Sequence, residues 1–79
     1  MFKPIATEKT VKLIELQNTI VLEFGRNIKK PEIKKEIEET FKVKVEKIRT
    51  LIKGNRKRCY IKLDKKNPAI DIATKLGVM

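Results

Sequence analysis

Histidine and tryptophan are absent from this sequence of 79 residues, and cysteine and tyrosine occur once each. Without histidine, the chain lacks the most common general base and the most common metal ligand of proteins. The single cysteine, Cys59, cannot form a disulfide within the chain, and its place in an alternating apolar pattern predicts a small buried side chain. We therefore expect neither a metal site nor a cofactor.

Long apolar segments are also missing. No run approaches the roughly 20 apolar residues that cross a bilayer, and the N-terminal sequence MFKPIATEK lacks the apolar core of a signal peptide. These absences predict a cytoplasmic protein that does not insert into membranes. The length predicts a single small domain over residues 1–79.

The carboxylates form no arrangement that predicts catalysis. Glu38 and Glu39 are neighbours in a predicted helix and do not face each other, while Glu32 and Glu36 form an exposed row beside lysines. A solvated helix surface accounts for both pairs. We therefore predict that the chain is not an enzyme.

Positive charge is what the sequence has in excess, with 20 lysines and arginines against 10 acidic residues. Residues 42–66, called here the basic segment, contain 11 of these cations and only two acids, Glu46 and Asp64. Its formal charge is therefore +9, compared with +1 for the rest of the chain.

The basic segment also has the alternation of a β-hairpin. Its runs KVKVE and RCYIKL alternate apolar with charged or polar residues, and they flank a loop over 53–57 in which Gly54-Asn55 is a turn signal. Such a ribbon places cations on one face and at its tip. This arrangement suits a polyanionic partner.

The remaining residues predict three helices, one further strand and an extended segment over residues 1–5 set by Pro4. The predicted elements are a helix over Glu8–Glu15 capped by Thr7, a strand over Thr19–Phe24, a helix over Pro31–Phe41 capped by Lys30, and a last helix from Asn67-Pro68 to Gly77. The predicted fold class is α+β. Its small mixed or antiparallel sheet has three strands in the spatial order 1-3-2, with helices packed on it in a ferredoxin-like split β-α-β arrangement.

One feature of the pattern has two explanations. After Val43 and Val45 the apolar parity changes, so that Ile48 and Ile52 fall on the other side of a regular strand. Either a bulge near Lys47 resets the register, or the first and last helices cover part of the second sheet face in α/β/α layers. The layered arrangement is the favoured prediction, because those helices also need a surface to bury against.

The concentration of charge favours a nucleic-acid partner, and structured RNA fits better than DNA. The sequence has no helix-turn-helix, zinc-finger or basic-zipper signature, and it lacks the aromatic pattern that stacks single-stranded bases. The contacts expected are mainly with phosphates, which recognise the shape of folded RNA. The candidate RNA-binding residues are Lys9, Asn27, Lys29, Lys30, Lys44, Lys47, Arg49, Lys53, Asn55, Arg56, Lys57, Arg58 and Lys62.

Two other functions fit the same charge pattern. The chain could be a protein-interaction adaptor whose basic surface meets an acidic partner, with RNA incidental. Attachment to an anionic membrane surface fits less well, because the cations lie on strands rather than on one amphipathic helix. Tyr60, the one aromatic residue of the basic segment, either stacks on a base or packs against neighbouring lysine side chains.

Five motifs spread over the whole chain resemble one known family. They are TEK at residues 7–9 after Pro4, NTIVLEF at 18–24, KPEIKKEIEETF at 30–41, VKV at 43–45 and AIDIATKLG at 69–77. In this order they resemble the large-subunit ribosomal protein family numbered twenty-three, in its archaeal form.

The resemblance implies a structural constituent of the large ribosomal subunit, seated on ribosomal RNA beside the exit of the nascent-peptide tunnel and among neighbouring large-subunit proteins. Members of that family form a docking platform for factors that receive the emerging chain, such as the signal recognition particle or, in bacteria, a chaperone. The position of Glu8 in the TEK motif implies a docking role for its carboxylate. A favourable charge in the first turn of a helix is the structural alternative.

The sequence departs from relatives in two places. Bacterial members carry a long hairpin loop that reaches into the tunnel, whereas the loop here is short, so no contact inside the tunnel is expected. Arg49-Thr50 stands where relatives often have Asn-Thr, which replaces any asparagine contact with a possible phosphate contact by Arg49.

Overall fold

Four strands and three helices follow one another in residues 2–77, the part of the chain described by the computed structural model. Met1, at the start of the predicted extended segment, lies outside the described residues. The elements are β1 (Lys3–Pro4), α1 (Glu8–Gln17), β2 (Thr19–Gly25), α2 (Lys30–Phe41), β3 (Val45–Lys53), β4 (Arg56–Leu63) and α3 (Ala69–Leu76).

The helix boundaries follow from their caps. Thr7 and Thr10 form a capping box at the start of α1, in which each side chain accepts a hydrogen bond from the other residue's backbone N–H, at 3.2 and 2.8 Å. Asn18 ends α1 in the left-handed conformation, with φ 51°. The cap of α2 is Lys29, one residue before the predicted Lys30, and Gly77 ends α3 as predicted.

All strand pairs in the sheet are antiparallel, and the order is β1-β2-β4-β3. The three predicted strands lie in the predicted order 1-3-2, but the prediction of a three-stranded sheet was incomplete. The missing strand, β1, pairs Lys3 with Glu23 and Pro4 with Leu22 at the sheet edge. Two residues are too few to show an alternating pattern, and an edge strand tolerates a proline that cannot donate a hydrogen bond.

The hairpin between β3 and β4 is tighter than predicted. Lys53 pairs directly with Arg56, so that only Gly54 and Asn55 form the turn. Gly54 has φ +61°, the conformation that a type II′ turn requires at its first central position.

The favoured prediction of α/β/α layers was wrong, and the bulge is the correct explanation for the change of parity. Val45 pairs with Leu63 but Lys47 pairs with Lys62, so Glu46 is an extra residue in β3. The bulge returns Ile48 to the same face as Val45, where it packs against the core. With that shift, the apolar residues of β3 no longer need a second layer of helices.

A single hydrophobic cluster lies between the sheet and all three helices. Its strand members are Ile20, Leu22, Phe24, Val45, Cys59, Ile61 and Leu63, and its helix members are Ile14, Ile33, Ile37, Ala69, Ile72 and Ala73. In α2, Ile33 and Ile37 are fully buried, whereas Thr40 is exposed. The cluster covers one face of the sheet, which leaves the other face of β3 and β4 for another purpose.

Asn18 joins the end of α1 to the loop between β4 and α3. Its side-chain amide donates to the carbonyl oxygens of Leu63, Asp64 and Asn67 at 3.0–3.1 Å, and its side-chain oxygen accepts a hydrogen bond from Ala69 N. The same residue supplies the left-handed backbone at the end of α1, a conformation that asparagine tolerates better than most residues.

Candidate nucleic-acid interface

Alternation along β3 and β4 places six cations on the face of the sheet opposite the hydrophobic cluster. Neighbouring residues of a strand point to opposite faces. Ile48 of β3 and Cys59 and Ile61 of β4 point to the core, so the residues that alternate with them point away from it. We call this surface the cationic face. Its cations are Lys47, Arg49, Lys53, Arg56, Arg58 and Lys62.

Like charges lie directly opposite each other on the cationic face. Lys47 pairs with Lys62, and Lys53 pairs with Arg56. Such pairs destabilise a sheet, and nothing in the fold requires lysine or arginine at these exposed positions. The arrangement is therefore unfavourable for the isolated chain.

Glu23 points to this face and pairs with one of its cations. Its Oε1 lies 3.7 Å from the Nε of Arg56, and the two side chains are 20% and 63% exposed. A pair this exposed contributes about 0–1 kcal/mol and is weakened by salt. A second carboxylate, Glu46, is the bulge residue of β3 and lines a groove with Lys62. Even with both carboxylates, the six cations leave the face with a positive excess.

Arg58 carries an unsatisfied donor. Its Nε atom is buried and has no hydrogen-bond partner among residues 2–77. The residue lies in β4 directly between Leu51 of β3 and Glu23 of β2. A buried donor without a partner costs about 1–3 kcal/mol.

A groove crosses one end of the cationic face, where α1 borders the sheet. Its volume is about 620 Å³. Side chains of three elements line it: Leu13 and Gln17 come from α1, Thr19 from β2, and the remainder from the hairpin, among them Lys47, Arg49, Tyr60 and Lys62. The groove therefore combines cations with the single tyrosine of the chain.

A hydrogen bond ties the hairpin to the loop that leads into α2. Lys57 lies on the core side of β4, unlike the cations of the cationic face, and its Nζ donates to the carbonyl oxygen of Ile28 at 2.6 Å. This contact brings the predicted second site, Asn27, Lys29 and Lys30, to the same end of the sheet as the turn at Asn55. Lys57 thus uses one of its three N–H donors within the chain.

Arg26 belongs to this end of the molecule and was not predicted. It follows Gly25, which pairs with Arg56, and it is exposed. The sequence offered one signal, an arginine two residues after the predicted strand and beside the predicted Asn27.

Lys9, Lys44 and Glu8 lie away from both the cationic face and the hairpin turn. Lys9 is exposed on α1, and Glu8 is the first residue of that helix. Lys44 precedes β3, and its carbonyl oxygen accepts a hydrogen bond from Asp64 N at 3.0 Å while its side chain is exposed. The structure therefore places six of the thirteen candidate RNA-binding residues on the cationic face, while Asn27, Lys29, Lys30, Asn55 and Lys57 lie at the turn end of the hairpin.

Cys59 lies on the core side of the hairpin and is fully buried, as predicted. Burial raises the pKa of its thiol to about 11, although the positive charge of Lys57 opposes this shift. Within residues 2–77, no group of three or more metal-ligating side chains is present. No helix of this described part is long and apolar enough to cross a membrane.

Comparison with known proteins gives a consistent result. The family model described as "Ribosomal protein L23" matches residues 1–73. A curated relative, "Large ribosomal subunit protein uL23" of Pyrobaculum aerophilum, is 42% identical over 76 residues. That alignment covers 95% of this chain and 94% of the relative.

Proposed function

Because this chain belongs to the ribosomal protein L23 family, we propose that it is a structural constituent of the large ribosomal subunit in the cytoplasm. In this proposal one domain, residues 1–79, binds large-subunit ribosomal RNA through its cationic face. The observation that carries the proposal is the set of six cations on the face of β3 and β4 that points away from the hydrophobic cluster.

The chemistry of the cationic face suits phosphate groups. Arginine can donate two parallel hydrogen bonds to a phosphate, and lysine supplies a point charge. Phosphates between Lys47 and Lys62, or between Lys53 and Arg56, would convert each repulsive pair into a shared anion site.

The loop before α2 offers a second contact for the same RNA. Arg26, Asn27, Lys29 and Lys30 lie at the start of a helix, where the backbone N–H groups and the helix dipole favour a phosphate. The hydrogen bond from Lys57 to Ile28 holds this loop against the hairpin. RNA that reaches past the hairpin turn at Asn55 would therefore meet further cations.

Factor docking is the second part of the proposal. Glu8 is exposed in the first turn of α1, outside the cationic face, so RNA bound there would leave its carboxylate free. We propose that this end of α1 contacts the signal recognition particle or a chaperone at the tunnel exit, beside neighbouring large-subunit proteins. Large subunits that carry the Glu8→Gln variant should bind the signal recognition particle or the chaperone more weakly. The variant chain should be retained in the subunit as well as the native chain.

Sedimentation of a tagged chain in cell lysate tests the ribosomal role. We expect the chain to co-migrate with large subunits and to remain there through a high-salt wash. After nuclease digestion it should be released without a stoichiometric protein partner. Persistent association with one acidic protein after digestion would instead support the adaptor function and contradict the proposal.

A further inference from the structure

Tyr60 occupies the middle of the cationic face. In register it lies between Val21 of β2 and Arg49 of β3, and Arg58 and Lys62 are two positions away along its own strand. No other aromatic residue among the described strand residues points to this face. A single ring is therefore surrounded by cations.

Apolar residues lie next to this ring. Val21, directly opposite Tyr60, is only 1% exposed although it points away from the hydrophobic cluster. Leu13 of α1 lines the same groove as Tyr60. Tyr60 itself is half-buried and forms no side-chain hydrogen bond within residues 2–77. The ring therefore has apolar neighbours, and its hydroxyl group forms no hydrogen bond within residues 2–77.

The groove beside Tyr60 is large enough to hold one nucleotide. Its volume of about 620 Å³ lies within the range of about 300–1,000 Å³ that is typical of such sites. Lys47, Arg49 and Lys62 line it with Tyr60, so an occupant should combine a flat, stackable group with negative charge. An unpaired nucleotide has both properties, whereas a base-paired stem cannot present the face of a base to the ring.

We propose that this groove binds one unpaired nucleotide of the RNA, with its base stacked on Tyr60 and its flanking phosphates held by Lys47, Arg49 and Lys62. This inference rests on the proposed RNA-binding function and deepens it. The face then recognises more than the shape of a helix, because it selects a position where a base has left the stack.

Two substitutions of Tyr60 separate stacking from charge. Tyr60→Leu removes the ring, and its affinity for deproteinised archaeal large-subunit ribosomal RNA should fall about 5- to 150-fold. The salt dependence of binding should stay the same, since no phosphate contact is lost. Tyr60→Phe keeps the ring and should bind within about threefold of the native chain. Native affinity in Tyr60→Leu would overturn the inference and leave the proposed RNA binding intact.

A spectroscopic variant gives a second, independent reading. The native chain has no tryptophan, so Tyr60→Trp places the sole indole on the cationic face and keeps a stacking surface. RNA binding, followed by anisotropy of labelled RNA, should be accompanied by quenching of the tryptophan emission. The control is Leu16→Trp, at a side chain that is 80% exposed on α1, and its emission should change little.

The outcomes of this experiment are distinct. Quenching at position 60 alone supports the stacked base. Complex formation with unchanged emission at position 60 overturns it, and RNA binding remains. If the native chain forms no salt-sensitive complex with the RNA, the proposed function fails, and the inference fails with it.

Discussion

The two faces of β4 differ in both burial and charge. Cys59, Ile61 and Leu63 point toward the helices and are at most 1% exposed. Arg58 and Lys62 alternate with them and point to the cationic face. One strand of eight residues thus supplies both the centre of the core and the centre of the candidate interface.

This difference shows how a very small domain separates stability from binding. The apolar face gains free energy from burial, whereas the cationic face loses some through its like-charged pairs. Substitutions on the first face should therefore lower stability, and those on the second should lower RNA affinity without unfolding the chain. Neighbouring residues of β4 allow this comparison to be tested directly.

The largest effect is expected from adjacent substitutions in β4. Ile61→Ala should lower the free energy of unfolding by about 2–5 kcal/mol, enough to unfold much of a marginally stable domain. Lys62→Ala should change stability by less than about 0.5 kcal/mol while weakening RNA binding. Urea unfolding and RNA binding of each variant check this contrast. Ile61→Val, expected to cost about 0.5–1.5 kcal/mol, keeps the test usable if Ile61→Ala does not fold.

A polar residue at the edge of the core is expected to have the next largest effect. Asn18→Ala removes the four hydrogen bonds that join α1 to the loop before α3, and it places alanine at φ 51°. We expect a loss of about 2–3 kcal/mol in the free energy of unfolding. Gln17→Ala, the adjacent exposed position, should be nearly neutral. Equal stability of the two variants would show that the hydrogen bonds of Asn18 contribute little to the free energy of unfolding.

Cys59 makes the stability of the chain sensitive to high pH. Burial raises the pKa of its thiol to about 11, above the value of about 8.5 for an exposed thiol. Its stabilising contribution is fully present below the pKa of the unfolded state and is lost as the pH rises through the folded value. Between about pH 8.5 and 11, the native chain should lose about 3 kcal/mol more stability than Cys59→Ala. Parallel pH profiles for the two proteins would contradict this prediction.

The smallest predicted effect on stability is an increase. Lys47→Glu replaces the repulsive pair with Lys62 by an attractive one, which should stabilise the isolated chain by about 0.2–1 kcal/mol. The same change should weaken RNA binding about tenfold or more. Lys35→Glu, which makes the same charge change on α2, should weaken RNA binding less, and it should lower stability because it places a further glutamate beside Glu32 and Glu39. Thermal unfolding at low salt and RNA titration check the two halves of this trade-off.

Much of the fold could be predicted from local sequence signals. The capping threonine of α1, the proline at the start of α2 and the Gly-Asn turn each act within a few residues, and each is found near its predicted place. The layered arrangement was wrong because a period-2 pattern has the same appearance whether Glu46 forms a bulge or the strand buries both faces. That choice depends on the partner strand, and no local signal decides it.

The candidate site was predictable only in part, for a related reason. Charge and alternation indicated all six cations of the cationic face. They could not show that Lys57 donates to Ile28, or that α1 forms one wall of the groove at Tyr60. Those features depend on contacts between residues 29 or more positions apart in sequence.

The salt dependence of RNA binding tests the central claim most directly. Two triple variants carry the same loss of charge: Lys47, Arg49 and Lys62 to alanine on the cationic face, and Lys12, Lys35 and Lys75 to alanine on exposed helix positions. With ribosomal RNA, the first variant should reduce the slope of log affinity against log salt by about 2–3, corresponding to three lost phosphate contacts. The second should change it by less than about 1. Equal slopes for the two variants would contradict an RNA interface on the open face of the hairpin.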